Sequence, residues 1–415
     1  MHIVYAVQEY PIGNRECGGS GNYVSNIAHI MSERGHKVEI VTEGERSGVE
    51  IRDEIIIHVI NIEKYFHDYG KSMTVGKKIV KNLYRSYQYN KIINQINKVE
   101  RIDLVQYSAM YNLALFRNIK IPTMIRLSEY PVLWRKAGSE RNFNIEKALA
   151  DRRLDEELQI YTYRKVNTII APSYLLKEIV ETRTNIKVEV VESPAFISKS
   201  PQFYKKNLRE QRLRGRKYFL YYGGITARKE AHIVARIIPH ILDMYSEYDF
   251  VIVGKCQTIP FDCQNRTMLD IIKTYSKKYS DRCIYLGSIE NRDRLFSIIS
   301  NCEICILPTR IDNLPNTVIE SMALGKVIVS TDKTSVEQLI TDGENGFLCR
   351  VDDVDSLIKK VREAMELSSG ERIQMGIKAQ ERLKNMQPDN VYKKMMEIYE
   401  KTILNHKKDI RRNRG

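Results

Sequence analysis

The stretch from Ile304 to Val329 constrains the fold more than any other part of the sequence. Its first run, Ile304 to Leu307, is apolar, as expected of a buried parallel strand. A polar loop follows, and helical spacing then continues from Thr317 to Leu324. Gly325 is placed to end that helix with a positive φ, and Val327 to Val329 is the next apolar run. This order of strand, helix and strand predicts a parallel α/β sheet.

Two carboxylates flank the start of this helix. Asp312 lies in the loop and Glu320 in the helix, with seven residues between them, and Asn316 is the predicted N-cap. A helix start after a buried strand presents unpaired amides and the positive end of the helix dipole, which favours a phosphate. Carboxylates accept hydrogen bonds from hydroxyl-rich groups such as ribose and a sugar. The stretch therefore predicts a nucleotide-sugar site, and an ordinary βα loop with an acidic cap is the alternative.

The chain begins with a similar unit. Strand Ile3 to Val7 precedes a glycine-rich loop, Cys17 to Asn22, and an amphipathic helix that stops near Gly35. Small residues at such a turn let a ligand approach the backbone closely. The dinucleotide-binding fingerprint is not met, because Val24 stands where its third small residue should be. The loop is predicted either to approach a ligand or simply to make a tight turn.

The alternation of strands and helices predicts two doubly wound α/β domains in the 415 residues. The first covers residues 1–195. A basic interdomain linker covers 196–216, and the alternation restarts in a second domain at 217–387. A final helix with a basic tail, 388–415, is predicted to cross back to the first domain.

A loop from Ser128 to Lys136 follows the predicted strand Pro122 to Leu127. Ligands bind at the carboxyl ends of the strands in open α/β sheets, so Ser128 and Glu129 are candidates for contacts with an acceptor. Trp134, the only tryptophan, is a third candidate, for an acceptor or a lipid head group. The alternative is that its ring lies in the core or at its rim.

The net charge of +14, from 66 basic and 52 acidic residues, favours anionic partners. Residues 71–101 are predicted to be helical, with eight basic residues and one acid, and the tail from His406 to Gly415 is also basic. Both segments predict contact with an anionic membrane surface, and a solvated helix face over a core stripe is the alternative for 71–101. No zinc-finger, RNP-type or helix-turn-helix signature accompanies the charge, so nucleic acid is not a predicted partner.

The sequence favours a cytoplasmic protein, and peripheral association with the inner face of the membrane is the further expectation. No apolar run approaches the roughly 18 residues that span a bilayer. The start, Met1 to Val7, resembles a strand more than a signal peptide. Seven cysteines without a secretory signal are expected to be reduced thiols. The CxxC spacing of Cys302 and Cys305 has no second pair to complete a metal site, so no metal is predicted.

The second half resembles a family 4 (group 1) glycosyltransferase of the GT-B fold. Asp312-x7-Glu320 is similar to the family's E-x7-E signature, with Asp in the first place, and residues 324–348 match its context. Tyr222-Gly223-Gly224 with Arg228-Lys229 resembles the family's G-R…K-G diphosphate loop, and residues 18–38 resemble its first loop and helix end. The resemblance implies two Rossmann-like, doubly wound parallel-sheet domains facing a central cleft.

The resemblance also implies roles for residues of the second half. Glu320 would bind the ribose hydroxyls, Asp312 would lie near the donor sugar, and Lys229 would neutralise charge on the leaving diphosphate. The catalytic candidates are Asp312, Lys229 and Arg228. The donor-binding candidates are Glu320, Gly19, Gly223, Gly224, Asn313, Asn316, Thr317, Gly254 and Ile289. The family transfers with retention of configuration and generally without a metal, so the expected ligand is a nucleotide-diphosphate sugar with no further cofactor.

Two positions depart from the family pattern. Gly224 replaces the loop arginine, for which Arg228 is the candidate substitute, and Ser128 stands where many members carry a histidine. The main prediction is a glycosyltransferase that adds a sugar to a growing, lipid-linked oligosaccharide in cell-surface polysaccharide biosynthesis. The two departures keep a catalytically silent, nucleotide-sugar-binding subunit open, and a nucleotide-sugar epimerase is a third hypothesis. A hydrolase is disfavoured, because eight helical residues span roughly 12 Å, whereas paired hydrolase carboxylates lie about 5 to 9.5 Å apart.

Overall fold

The computed structural model describes residues 1–12, 17–66, 75–139, 154–195, 199–257 and 265–412. Its strands are β1 His2–Ala6, β2 Lys37–Glu43, β3 Gly48–Arg52, β4 Ile55–Ile60, β5 Leu104–Ser108, β6 Thr123–Arg126, β7 Thr168–Ala171, β8 Glu189–Val190, β9 Lys217–Tyr222, β10 Tyr248–Val253, β11 Cys283–Tyr285, β12 Ile304–Ile306, β13 Val327–Thr331 and β14 Phe347–Cys349. Its helices are α1 Gly19–Ser32, α2 Val75–Val99, α3 Pro131–Ser139, α4 Leu154–Tyr163, α5 Tyr174–Thr184, α6 Pro201–Lys206, α7 Ala231–Met244, α8 Met268–Tyr275, α9 Arg292–Asn301, α10 Asn316–Ala323, α11 Val354–Glu366, α12 Ser369–Arg382 and α13 Pro388–Arg412.

The chain forms two compact units. Unit 1 comprises Met1–Tyr130, Asp151–Pro194 and Pro388–Gly415, and unit 2 comprises Pro131–Ala150 and Ala195–Gln387. Each unit contains its own sheet with helices packed on it, so each has the layered α/β architecture that the alternation predicts. Among the described helices, each is too short or too polar to cross a bilayer.

Unit 1 is built on an eight-stranded sheet in the order β3-β4-β2-β1-β5-β6-β7-β8. β3 runs antiparallel to β4, and the other described pairs are parallel. The core on one side includes the apolar face of α1 and, from the far end of the chain, α13. The hydroxyl groups of Tyr399 and Tyr5 lie 3.0 Å apart, and Thr402 lies 2.7 Å from Thr168 by their hydroxyl oxygens. α13 is therefore an integral wall of this core.

A histidine–glutamate cluster lies at the amino end of the same sheet; we call Glu39 with His2 and His58 the Glu39 cluster. Glu39 Oε1 lies 3.0 Å from His2 Nε2, and Glu39 Oε2 lies 2.6 Å from His58 Nε2. Burial raises the pKa of Glu39, but the hydrogen bonds and charges of the two imidazoles outweigh burial and lower that pKa to about 2. The carboxylate is therefore ionised over the whole neutral range.

Unit 2 is built on a six-stranded sheet in the order β11-β10-β9-β12-β13-β14, in which the described pairs are parallel. Both faces of this sheet are covered. One core packs α7, α8 and α11 on the sheet, and the other packs α9, α10 and α12. Because both faces are buried, its strands are near-continuous apolar runs, which is why the sequence predicted them well.

Several sequence predictions need correction. Residues 128–136 are not a continuous loop: α3 begins at Pro131 and buries Leu133, Trp134 and Ala137. Proline suits the first helical position because the amide there has no partner within the helix. Part of the helix predicted around 145–165 falls outside the described residues, and its described part is α4. The 71–101 helix is α2, whose first predicted residues, 71–74, also lie outside them.

The helix predicted after β12 is confirmed, but its cap is not. Pro315 is the N-cap residue, with φ −69° and ψ 118°, and Asn316 is the first helical residue. Asn316 is therefore not the N-cap, and the N-cap residue makes no side-chain capping hydrogen bond here. The predicted linker is also more structured than expected. Within it, α6 and a helical turn, Gln211–Leu213, bury Tyr204 and Leu213 in a unit 2 core.

Candidate active site

The start of α10 is held beside the end of β9 by one buried tyrosine. Tyr222, the last residue of β9, donates its hydroxyl to the Thr317 carbonyl oxygen at 2.6 Å and lies 3.0 Å from Ser321 Oγ. Both contacts are to the first two turns of α10. The amino end of this helix, with its positive dipole end, is thereby fixed at the carboxyl edge of the unit 2 sheet.

Two glycines bring adjacent strand ends into direct backbone contact. Gly223 follows β9 with φ +118°, and Gly254 follows β10 with φ +145°. A Cβ added at Gly254 would lie 1.7 Å from the Gly223 carbonyl oxygen, and one added at Gly223 would lie 3.1 Å from Thr317 Cγ2. No side chain fits between these backbones, so the predicted glycine positions are required for close packing at this edge.

A short turn, Ala227–Lys229, presents two basic residues above the same edge. Thr226 caps it by accepting a hydrogen bond from the Lys229 amide at 3.3 Å. The Arg228 carbonyl accepts a hydrogen bond from the Arg310 amide at 2.8 Å and one from Thr309 Oγ1 at 3.1 Å. The turn that carries Arg228 and Lys229 is therefore joined directly to the loop that carries Asp312.

Lys229 and Asp312 form an ion pair, in which Nζ donates to Oδ2. Their side chains are only 18% and 19% exposed. The Asn313 amide donates to the other carboxylate oxygen at 2.7 Å. Burial would raise the pKa of Asp312, but the charges of Lys229 and Arg228 outweigh burial and lower it. Asp312 is therefore ionised at neutral pH, and both of its oxygens are engaged.

Arg228 leaves this group with an excess of positive charge. Its Nε atom is buried and has no hydrogen-bond partner in the part of the chain that the structure describes. Arg228, Lys229 and Asp312 together carry two positive charges and one negative charge. A partly buried group with this balance, close to a helix amino end, favours an anion as its ligand.

Glu320 lies in the first turns of α10 and pairs with a residue that sequence reasoning missed. Arg292 Nη2 donates to Glu320 Oε1 at 2.7 Å, and the guanidinium also lies 4.6 Å from the centroid of the Phe296 ring. Burial raises the pKa of Glu320, and the charge of Arg292 opposes that shift only in part. A sequence signal was present: Arg292 is the first residue of α9, capped by Asn291, and so begins a helix at the carboxyl edge.

The remaining donor-binding candidates of unit 2 lie at the same edge. Gly224 is exposed in the loop after β9, and Asn316 and Thr317 begin α10. Ile289 is partly buried in the loop after β11 and packs against a unit 2 core. Unit 2 thus gathers its predicted residues around the carboxyl ends of β9 to β12. The structure adds Tyr222 and Arg292 to them.

Unit 1 gathers its own candidates at the carboxyl edge of its sheet. Gly19 is the exposed first residue of α1. Ser128, which precedes Glu129, donates its hydroxyl to Ser20 Oγ at 3.2 Å, so the loop after β6 contacts the start of α1. The Gly18 amide donates to a carboxylate oxygen of Glu9 at 2.9 Å. The third acceptor candidate, Trp134, is assigned to unit 2, where its side chain is buried within α3.

Part of the chain matches a known protein family. Residues 204–382 match the family model of the glycosyl transferases group 1. This segment is that of a group 1 glycosyltransferase. An uncharacterized glycosyltransferase of Haemophilus influenzae is 21% identical to the chain over 347 residues, which cover 82% of this chain and 85% of that protein. A lipopolysaccharide 1,2-N-acetylglucosaminetransferase of Salmonella typhimurium is 24% identical over 222 residues, which cover 51% of this chain and 56% of that protein.

Solved structures share the fold of this glycosyltransferase. Sucrose-phosphate synthase from Thermosynechococcus elongatus has a TM-score of 0.74 and 13% identity, covering 97% of this chain and 99% of that one. Such a likeness, together with two mostly parallel sheets, shows that this glycosyltransferase has the GT-B fold. The matched family segment contains the whole group of Tyr222, Lys229, Asp312 and Glu320.

Proposed function

We propose that this glycosyltransferase moves a sugar from a nucleotide-diphosphate sugar, with retention of configuration, to a growing, lipid-linked oligosaccharide in cell-surface polysaccharide biosynthesis. The arrangement of Lys229, Arg228 and Asp312 at the amino end of α10 carries this proposal. Such a group suits a reaction whose leaving group is a diphosphate.

The proposed reaction requires positive charge next to the leaving group. As the bond between the sugar and the diphosphate breaks, negative charge grows on the departing phosphate oxygens. Lys229, Arg228 and the α10 amides would then interact more strongly with the transition state than with the bound donor, which is the condition for lowering the barrier. Because these groups are already fixed by the fold, little reorganisation is required during the reaction.

Asp312 has two functions in this proposal. It holds Lys229 in place in the free protein, and we propose that it also lies near the donor sugar. Its carboxylate is one carbon shorter than the Glu of the family signature, so its reach towards a sugar hydroxyl is shorter. We propose that this length contributes to the choice of donor sugar.

Glu320 is our candidate for the ribose hydroxyls. Its buried carboxylate accepts a hydrogen bond from Arg292 on Oε1, and we propose that the carboxylate accepts hydrogen bonds from the ribose diol when the donor binds. A charged acceptor in a largely buried position binds hydroxyl donors more strongly than an exposed one does. The proposed reaction uses no metal ion and no separate general base.

We assign acceptor recognition to unit 1, with Ser128 and Glu129 as candidates.

We also propose a cytoplasmic location with peripheral contact to a membrane. Exposed lysines on α2 support this contact; they are Lys77, Lys78, Lys91 and Lys98. Not all eight basic residues predicted for 71–101 are available to a membrane, because Arg85 is buried and pairs with Glu43 at 2.6 Å. Binding to vesicles with anionic lipid should fall as salt rises; binding that ignores salt, or no binding, contradicts membrane contact.

One experiment tests the reaction. Purified protein is incubated with UDP-, GDP-, dTDP- and ADP-sugars, each with and without lipid-diphosphate-linked oligosaccharides. Mass spectrometry follows the acceptor, and NMR coupling constants give the anomeric configuration of the product. We expect transfer with retention for one donor. Binding of a nucleotide sugar without turnover would favour the silent subunit, and conversion of a donor without acceptor would favour the epimerase.

A further inference from the structure

A buried glutamate with an unusual backbone directly follows Lys229. Glu230 has φ 49° and ψ 31°, the left-handed conformation, which glycine adopts readily and residues with a Cβ disfavour. Its side chain is fully buried, although a carboxyl group is costly to remove from water. A strained backbone and a buried acid at one position beside a functional group indicate a role that offsets both costs.

The Glu230 carboxyl group is tied to a turn far along the chain. Oε1 accepts a hydrogen bond from the Asp352 amide at 3.1 Å, and Asp352 is itself left-handed, with φ 57°. Oε2 is buried and has no hydrogen-bond partner among the described residues. The side chain of Glu230 therefore links the backbone that directly follows Lys229 to the turn before α11.

Arg310 closes this connection into a ring. Its guanidinium is fully buried and donates from Nε to Asp352 Oδ1 at 2.8 Å. Its backbone amide donates to the Arg228 carbonyl at 2.8 Å. Arg310 precedes Asp312 by two residues, so the ring joins the turn that carries Lys229 to the loop that carries its partner.

We propose that Glu230 is the positioning residue that holds Lys229 opposite Asp312, through a ring formed by Glu230, Asp352 and Arg310. Glu230 contacts no substrate in this proposal. The inference rests on the proposed function, because positioning Lys229 matters only if Lys229 acts on the departing diphosphate. The ring itself does not depend on that function, so it can be measured without substrate.

The surroundings of Glu230 favour its neutral form at pH 7. Burial raises its pKa to about 8, the charge of Asp352 adds to the rise, and the charge of Arg310 opposes it. His232 stays neutral here, since burial lowers its pKa and its Nε2 lies 3.0 Å from Arg310 Nη2. The titratable or charged groups that face Glu230 are Asp352, Arg310, Asp332, Tyr221 and Cys349. Ionised Glu230 would be repelled by two aspartates, so the ring should loosen above pH 8.

Two variants separate the side chain from the backbone. Glu230→Gly removes the tie to Asp352 but suits the left-handed backbone, so the fold should survive. Glu230→Gln keeps an oxygen that accepts from the Asp352 amide but cannot ionise. We expect E230G to lower kcat about tenfold with the donor KM within twofold of wild type. We expect wild-type kcat to fall above pH 8, and we expect E230Q to keep wild-type kcat at pH 7 and to lack that fall.

Amine labelling measures the ring without any substrate. Lys229 is exposed to a water-soluble acylating reagent, and its modification rate is quantified by mass spectrometry relative to exposed Lys277. Asp312→Asn, which removes the ion-pair partner, is the positive control. E230G should raise the relative rate severalfold towards that of D312N, and E230Q should leave it unchanged.

The outcomes distinguish the two proposals. If Lys229→Ala transfers as fast as wild type, the proposed role of Lys229 fails. If K229A loses activity while E230G keeps both wild-type kcat and wild-type labelling, the positioning role of Glu230 is overturned. Loss of kcat in E230Q at pH 7, with wild-type labelling, would likewise contradict positioning and point to a direct role for the carboxyl group.

Discussion

The ion pair of Lys229 and Asp312 gives the sharpest prediction about catalysis. We expect Lys229→Ala to lower kcat strongly and to change donor KM little, because the charge that Lys229 stabilises develops only as the donor breaks. The matched control is Lys277→Ala, which removes an exposed lysine of the same unit.

The magnitude follows from the burial of the pair. A cation about 4 Å from a full negative charge contributes about 4 kcal/mol at an effective dielectric constant of 20. The Lys229 side chain is 18% exposed, and the charge on the leaving group is partial in the transition state, so we reduce this to about 3 kcal/mol. That energy corresponds to roughly a 100-fold loss of kcat.

The assay follows nucleoside diphosphate release under saturating donor and acceptor for wild type, K229A, D312N and the double variant. Since Asp312 positions Lys229, the effects should not add, and the double variant should be about as slow as K229A. A K229A enzyme that melts as wild type does and keeps kcat within threefold would refute this account of the cation. Additive losses would refute the coupling between the two residues.

Three further predictions concern binding and stability. Glu320→Ala should weaken nucleoside diphosphate binding roughly 30-fold or more, measured by calorimetry, since hydrogen bonds to a charged acceptor contribute about 1.5 to 3 kcal/mol each; unchanged affinity would contradict the ribose role. In the Glu39 cluster, the folded pKa of about 2 lies below the reference value of 4.5, so Glu39 contributes about 3 kcal/mol above pH 4.5 that is lost as pH falls towards 2. Urea unfolding should show wild type losing about 2 kcal/mol more than Glu39→Gln between pH 7 and pH 3, because pH 3 lies about 1.5 pH units below the reference pKa and still above the folded pKa. Gly254→Ala should destabilise unit 2 by more than about 3 kcal/mol, because its Cβ overlaps the Gly223 carbonyl, whereas Gly343→Ala, with φ +75° and open space, should cost about 1 kcal/mol.

The sequence predicted the unit 2 edge well for a local reason. In a parallel sheet, ligand-facing residues directly follow buried strands, so apolar runs that end in glycine or polar loops mark them. Gly223, Gly254 and Asp312 were all found in this way. Glu320 was correctly predicted to lie in the helix after β12, because that helix is short and ends at a glycine.

The residues that sequence reasoning missed depend on contacts between distant segments. Arg292 reaches Glu320 across 28 positions, and Glu230 reaches Asp352 across 122. The start of α9 marks the position of Arg292 in the sequence, but neither pairing has a local signal in composition or periodicity. The misplaced cap at Asn316 has a different cause, since a preceding proline with an extended ψ can end the loop by itself. α3 was overlooked because it begins at Pro131. Proline is common in loops, so the residues that follow it were also interpreted as a loop.

The position of α13 in the unit 1 core has a consequence for how the protein is made. The last helix of the unit 1 core, α13 (Pro388–Arg412), follows the 193 residues of Ala195–Gln387, which belong to unit 2. At synthesis rates of roughly 5 to 20 residues per second, those residues take about 10 to 40 s to emerge. During that interval the apolar surface of unit 1 that later receives Val391, Met395 and Tyr399 is uncovered on the ribosome. All segments of unit 2 are synthesised before α13, so the half that starts the chain is the last to have all of its segments available for folding.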